Sequence, residues 1–126
     1  MIVSDTCVWI EVFRATATGR RYRPLLRRTD RLIVPTLVQF ELRRWALREL
    51  DEDAADRIVA ATRTARVVPM DEALALYAAD LAQEHRLAMA DAIIYATARD
   101  ARADLVTCDG HFEGLPGVRY AAKEAE

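Results

Sequence analysis

The stretch from Leu87 to Phe112, LAMADAIIYATARDARADLVTCDGHF, limits the fold more than any other part of the chain. Its first half, AMADAIIYATA, is apolar on nearly every side except at Asp91, and so reads as a helix buried all round, over 90–102. A short apolar run over 104–108 follows a polar break and ends at a second acid, Asp109. A run of that length bounded by turn signals reads as a buried strand. A buried helix leading into a buried strand is half of an α/β unit. The two acids need a separate reason, because an unpaired buried charge is costly.

The remaining sequence repeats the alternation. MIVS predicts a strand with Asp5 at its carboxyl end, and CVWIEVFRATATG a helix stopped at Gly19. The arginine-rich RRYRPLLRR comes next, then a second strand, RLIVP, closed by Pro35, which cannot continue a ladder. Thr36 is placed to cap the helix TLVQFELRRWALREL, on which helical spacing stacks Leu37, Glu41 and Trp45 in one column beside Val38. A helix over DEDAADRIVAATRTA has Asp51, Glu52 and Asp53 in its dipole-favoured first turn. RVVP is a third strand, and DEALALYAADLAQEHRL an amphipathic helix with Leu74, Tyr77, Ala78 and Leu81 on its apolar side. VRYA closes the chain as a last strand before a charged tail over about 121–126, expected to fray. The pattern predicts one α/β domain over 1–126, with a central, mostly parallel sheet and helices on both faces.

Composition narrows the class without choosing a function. Apolar residues make up 52% and charged residues 30%, a globular balance that excludes a disordered chain. Arginine carries nearly all the positive charge, Lys123 being the one lysine, and guanidinium suits fork-like contacts with phosphate. Cys7 and Cys108 are too few for a disulfide framework or a cysteine zinc site and read as reduced bystanders. No apolar run reaches the ~18 residues of a membrane span, and no secretory leader opens the chain, so a cytoplasmic location is expected.

Asp5, Glu41, Asp91 and Asp109 each interrupt or end an apolar segment, whereas most other acids sit in polar clusters. In an open parallel sheet, ligands bind outside the carboxyl ends of the strands, which is where Asp5 and Asp109 fall. If the four converge, their repulsion in a low-dielectric cleft requires a cation. A carboxylate-only set suits Mg²⁺, with Mn²⁺ as an alternative, and such ions also bind phosphate and activate water. Taken singly, each acid has a plainer reading: a turn or helix cap for Asp5, a turn for Asp109, a helix cap for Asp91, and a surface position or a partner of Arg44 or Arg48 for Glu41.

Three segments, IVSDTCVWIEVF, VPTLVQFELRR and ADAIIYATARDARADLVTCDGHF, resemble PIN-domain ribonucleases in order and spacing. Within that family the chain is similar to the small VapC-type toxins of toxin–antitoxin pairs. The resemblance implies a Mg²⁺-dependent endoribonuclease with an acidic metal quartet at Asp5, Glu41, Asp91 and Asp109. It also implies supporting hydroxyls at Thr6 and Thr107, an RNA substrate, a cognate antitoxin and a homodimer. Cys108 and Gly110 stand where charged residues are common in the family. Arg20, Arg21, Arg23, Arg44 and Arg48 are candidates for contact with RNA phosphates or with an antitoxin's acidic segment, beside the plainer reading of a solvated face.

Two other functions compete. One is a non-catalytic PIN-like module that binds RNA or protein through the arginines. The other is a phosphatase using Asp5 as nucleophile, against which stand Cys7, where a second aspartate is wanted, and the lack of a glycine-rich phosphate loop. Trp9 and Trp45 read as core or interface, and His111 as an incidental turn residue.

Overall fold

In the computed structural model, which describes residues 1–125, five short strands form one sheet: Ile2–Ser4 (β1), Leu32–Pro35 (β2), Arg66–Val68 (β3), Asp104–Thr107 (β4) and Val118–Tyr120 (β5). Their order is β3-β2-β1-β4-β5, and every pairing is parallel. β1 is central, with Val3 in register with Ile33 on one side and Leu105 on the other. All residues of β1 and β2 are buried, which explains why they read as continuous apolar runs rather than as alternating ones.

Six helices cover the two faces: Thr6–Phe13 (α1), Ala17–Leu26 (α2), Thr36–Glu49 (α3), Glu52–Thr62 (α4), Glu72–His85 (α5) and Met89–Asp100 (α6). Connections step outward from β1 to β2 to β3, then return across the sheet to β4. With right-handed crossovers, that reversal puts the later helices on the opposite face. It also opens a crevice between the carboxyl ends of β1 and β4, the switch point at which such sheets bind ligands. α6 is the buried helix expected from composition: every residue from Ala92 to Ala98 is buried.

Several local expectations are corrected. Gly19 does not stop the first helix. α1 ends at Phe13, the chain turns through Ala15 in the left-handed region (φ 54°), and Gly19 lies inside α2. The glycine is needed for close approach, since a Cβ there would lie 2.0 Å from the Glu11 carbonyl oxygen. Part of the arginine-rich segment is helical, with Thr16 Oγ1 capping α2 through the Gly19 N–H at 3.1 Å. Thr36 is the first residue of α3 rather than its cap; Pro35 occupies the cap position without a side-chain bond. Tyr77 turns outward on α5, leaving Leu74, Ala78 and Leu81 to face the core. Trp9 is buried, while Trp45 is half-buried against the core. Residues 121–125 have no regular secondary structure, although the Glu124 N–H donates to Thr18 Oγ1 at 2.7 Å. Glu126, the end of the expected tail, lies outside the described residues.

Candidate metal centre

Asp5 leaves β1 and is the N-cap of α1, so backbone geometry alone places its carboxylate at the crevice. Its Oδ1 accepts the Thr6 N–H at 2.8 Å, and its Oδ2 accepts the Thr107 hydroxyl at 2.8 Å. The Thr107 oxygen in turn accepts the Asp109 N–H at 3.0 Å, which ties the end of β4 to the end of β1. On the other side, Thr6 Oγ1 donates to Glu41 Oε1 at 2.6 Å. Among the described residues, no arginine forms an ion pair with Glu41, so its plainer reading as an arginine partner does not hold. The two threonines thus connect Glu41, Asp5 and Asp109 in one hydrogen-bonded chain.

Asp91 enters from the first turn of α6, whose cap residue Ala88 supplies no side-chain bond to the free N–H groups there. The positive end of the helix dipole therefore acts on this carboxylate. Asp91, Asp109 and His111 each offer a ligand atom within 4.8 Å of the others. Asp5 and Glu41 stand outside that group, Asp5 buried and Glu41 partly exposed.

The electrostatics are those of an anionic site short of counter-charge. Burial, only partly offset by the Thr107 and Thr6 hydrogen bonds, pushes the Asp5 carboxyl up to about 6, and Asp91 adds to the rise. Asp91 is also raised, first by burial and then by repulsion from Asp109, with His111 opposing. Oxygen donors that resist ionising without a cation are a donor set that fits a hard divalent ion.

His111 reads as incidental in the sequence, yet its Nδ1 lies 3.4 Å from Asp109 Oδ1 and 3.6 Å from Asp91 Oδ2. A local signal for this exists: Asp109 caps a 3₁₀ turn by accepting the His111 N–H at 2.9 Å, which folds the histidine back over its own cap. Cys7 and Cys108 also meet at this rim, sulfur to sulfur at 3.1 Å.

The candidate arginines divide. Arg44 and Arg48 line a groove of about 300 Å³ with Thr6, Phe40, Glu41 and Trp45, directly beside the acids. Arg20, Arg21 and Arg23 lie exposed on α2, where Arg20 binds the Ala15 carbonyl and Arg21 stacks over Tyr22.

A five-stranded parallel sheet with acids at its switch point defines an α/β domain with a candidate metal site, and the PIN domain family matches residues 2–118. The chain belongs to the PIN-domain family. Its fold is shared with several proteins of known structure. A toxin–antitoxin complex from Klebsiella pneumoniae matches with 25% identity and a TM-score of 0.81, over 94% of this chain and 96% of that one. FitAcB from Neisseria gonorrhoeae matches with 26% identity and a TM-score of 0.69, over 89% and 91%. VapC20 from Mycobacterium tuberculosis, described as a sarcin–ricin loop cleaving toxin, matches with 19% identity and a TM-score of 0.77, over 94% and 97%. No curated protein matches the chain by sequence. No helix among the described residues is long and apolar enough to cross a membrane.

Proposed function

We propose that this protein is a metal-dependent endoribonuclease and the toxin of a toxin–antitoxin pair. The observation that carries the reading is the pair of raised carboxylates, Asp5 and Asp91, set with Asp109 and Glu41 at the sheet's switch point. Holding such groups together costs folding energy, and a divalent cation offsets that cost. When bound, Mg²⁺ or Mn²⁺ supplies positive charge against a phosphodiester and activates water for attack.

The chain's own residues prepare that chemistry. Thr6 and Thr107 fix both oxygens of Asp5, so its carboxylate does not rotate away from the crevice. The Thr6 hydroxyl orients Glu41, leaving the second Glu41 oxygen for the open side. Asp91 and Asp109, with Asp5 and Glu41 beside them, would hold the ion, and its positive charge would favour the ionised form of Asp5. Arg44 and Arg48, on the rim beside Glu41, are positioned to neutralise RNA phosphates leading into the site.

Two partners follow from the same reading. The structural relatives include complexes of toxin with antitoxin, which supports an antitoxin for this chain. A second copy would cover the apolar groove lined by Met70, Ala75, Ala79 and Met89, whose two methionines are exposed. RNA cleavage measured with Mg²⁺ or Mn²⁺, in excess chelator, and in Asp91→Asn tests the enzyme reading. Full cleavage under chelation, or in the variant, overturns it. Growth arrest on expression without the product of a neighbouring antitoxin gene tests the toxin role.

A further inference from the structure

The chain has two cysteines, and the fold brings both to one point of the rim. Cys7 lies in the first turn of α1, two residues after Asp5; Cys108 leaves β4 and immediately precedes Asp109. Although 101 positions apart in sequence, their sulfurs are separated by 3.1 Å, so about 1 Å of closure reaches the ~2.05 Å of a disulfide bond. Both are free thiols, Cys108 buried and Cys7 half-exposed.

The thiols are also wired to the carboxylate site. The Cys108 thiol donates to the Cys7 sulfur, and the Cys7 thiol donates to Asp5 Oδ2 at 3.5 Å, beside the Thr107 hydroxyl. The Cys108 N–H points at the same Cys7 sulfur, at 3.4 Å. Oxidation would remove both thiol hydrogens, draw the Cys7 sulfur toward Cys108 and leave Asp5 Oδ2 with one donor fewer. It would also clamp the start of α1 to the residue between Thr107 and Asp109.

The geometry points to Cys7 and Cys108 as a reversible disulfide site that weakens divalent-ion binding when oxidised. For its effect on the acids, this rests on the metal-centre reading above; for the bond itself it does not. The oxidant is a hydroperoxide. One sulfur of the pair attacks the peroxide, the O–O bond breaks, and the departing oxygen leaves as water carrying that thiol's proton. The resulting sulfenic acid is attacked by the other sulfur; the S–S bond forms, the S–O bond breaks, and a second water leaves with the second thiol's proton. In sum two thiols lose two electrons and two protons, and hydrogen peroxide becomes two waters. A small-molecule thiol reverses the bond by exchange, as expected of a sensing disulfide in a reducing compartment.

The full-length protein is treated with hydrogen peroxide, and thiols, intact mass and Mn²⁺ affinity are measured before and after reduction by dithiothreitol. Expected are loss of both thiols within one chain, a mass lower by two hydrogens, and an Mn²⁺ affinity reduced about tenfold, the scale of a lost outer-shell contact. Reduction restores all three, and Cys108→Ser forms no intrachain bond. Thiols that persist in excess peroxide, links formed only between chains, or Mn²⁺ binding equal in both states overturn the proposal. A disulfide that forms and weakens Mn²⁺ binding in a protein that cuts no RNA supports the switch, while removing the nuclease reading.

Discussion

The two sides of the acidic crevice are built differently. On the inner side, Asp5 is 5% exposed and both its oxygens are held by hydrogen bonds from Thr6 and Thr107. On the outer side, the side chains of Asp109 and His111 are 34% and 77% exposed, and their mutual contact is loose at 3.4 Å. The inner side is organised before any ligand arrives, and its cost is a carboxyl group that resists ionisation. The outer side stays solvated and adjustable, which suits the entry path that the proposed metal reading would need. Positioning and access have been assigned to different residues.

The largest expected effect comes from breaking the inner side. Asp5→Asn should lower RNA cleavage by more than about 100-fold, beyond the range typical of outer-shell losses. The same variant should stabilise the metal-free protein at pH 7.5 by about 2–3 kcal/mol in urea melts, since the buried charge is gone. A variant that loses both activity and stability would contradict the account of a strained inner acid.

The pH dependence sharpens the same contrast. The Asp5 carboxyl rises from 3.8 to about 6 on folding, so the native state holds a proton that the unfolded chain has released. That contribution is fully present below pH 3.8 and is lost as the pH rises through about 6. Stability of the metal-free protein should therefore fall across this window by about 3 kcal/mol, and Asp5→Asn should flatten the profile. Divalent ion should restore stability on the alkaline side, because it neutralises the buried charge that remains once the proton is lost.

Thr107→Val removes the link between the two sides. It leaves Asp5 Oδ2 and the part-buried Asp109 N–H each short of a partner, and should cost about 1–3 kcal/mol of stability. Metal affinity measured by calorimetry should fall about tenfold or more. The smallest effect belongs to the outer side: His111→Ala should change stability by less than about 1 kcal/mol, as for other exposed charge pairs. Cleavage and metal affinity should fall less than in Thr107→Val. A larger loss would give the histidine a place among the ligands.

How much of this was legible depended on whether the signal was local. Asp5 and Asp109 follow short buried strands, and in a parallel sheet the end of a strand is a definite place, so composition and order were enough to locate them. Asp91 stood out because a lone acid in an otherwise apolar helix reads as a cap or as a ligand, and the structure gives the cap position to Ala88. Gly19 misled because a glycine near a helix end resembles a stop signal; its role, letting α2 approach Glu11 in α1, exists only after both helices are packed. Tyr77 misled for the reverse reason, since helical spacing gives an apolar stripe but not its width.

The order of the strands along the chain, the burial of α6, and the singling out of four acids that end or interrupt apolar segments were determined by the sequence alone, because they follow from hydrophobic periodicity and the cost of isolated charge. Only the tertiary structure decided which groups meet. The Thr6–Glu41 bond spans 35 positions and the Thr107–Asp5 bond 102, while His111 swings back through a capped turn over Asp109 and Asp91. Contacts at such separations depend on register and crossover direction, which no local pattern encodes. The meeting of Cys7 and Cys108 belongs to the same class.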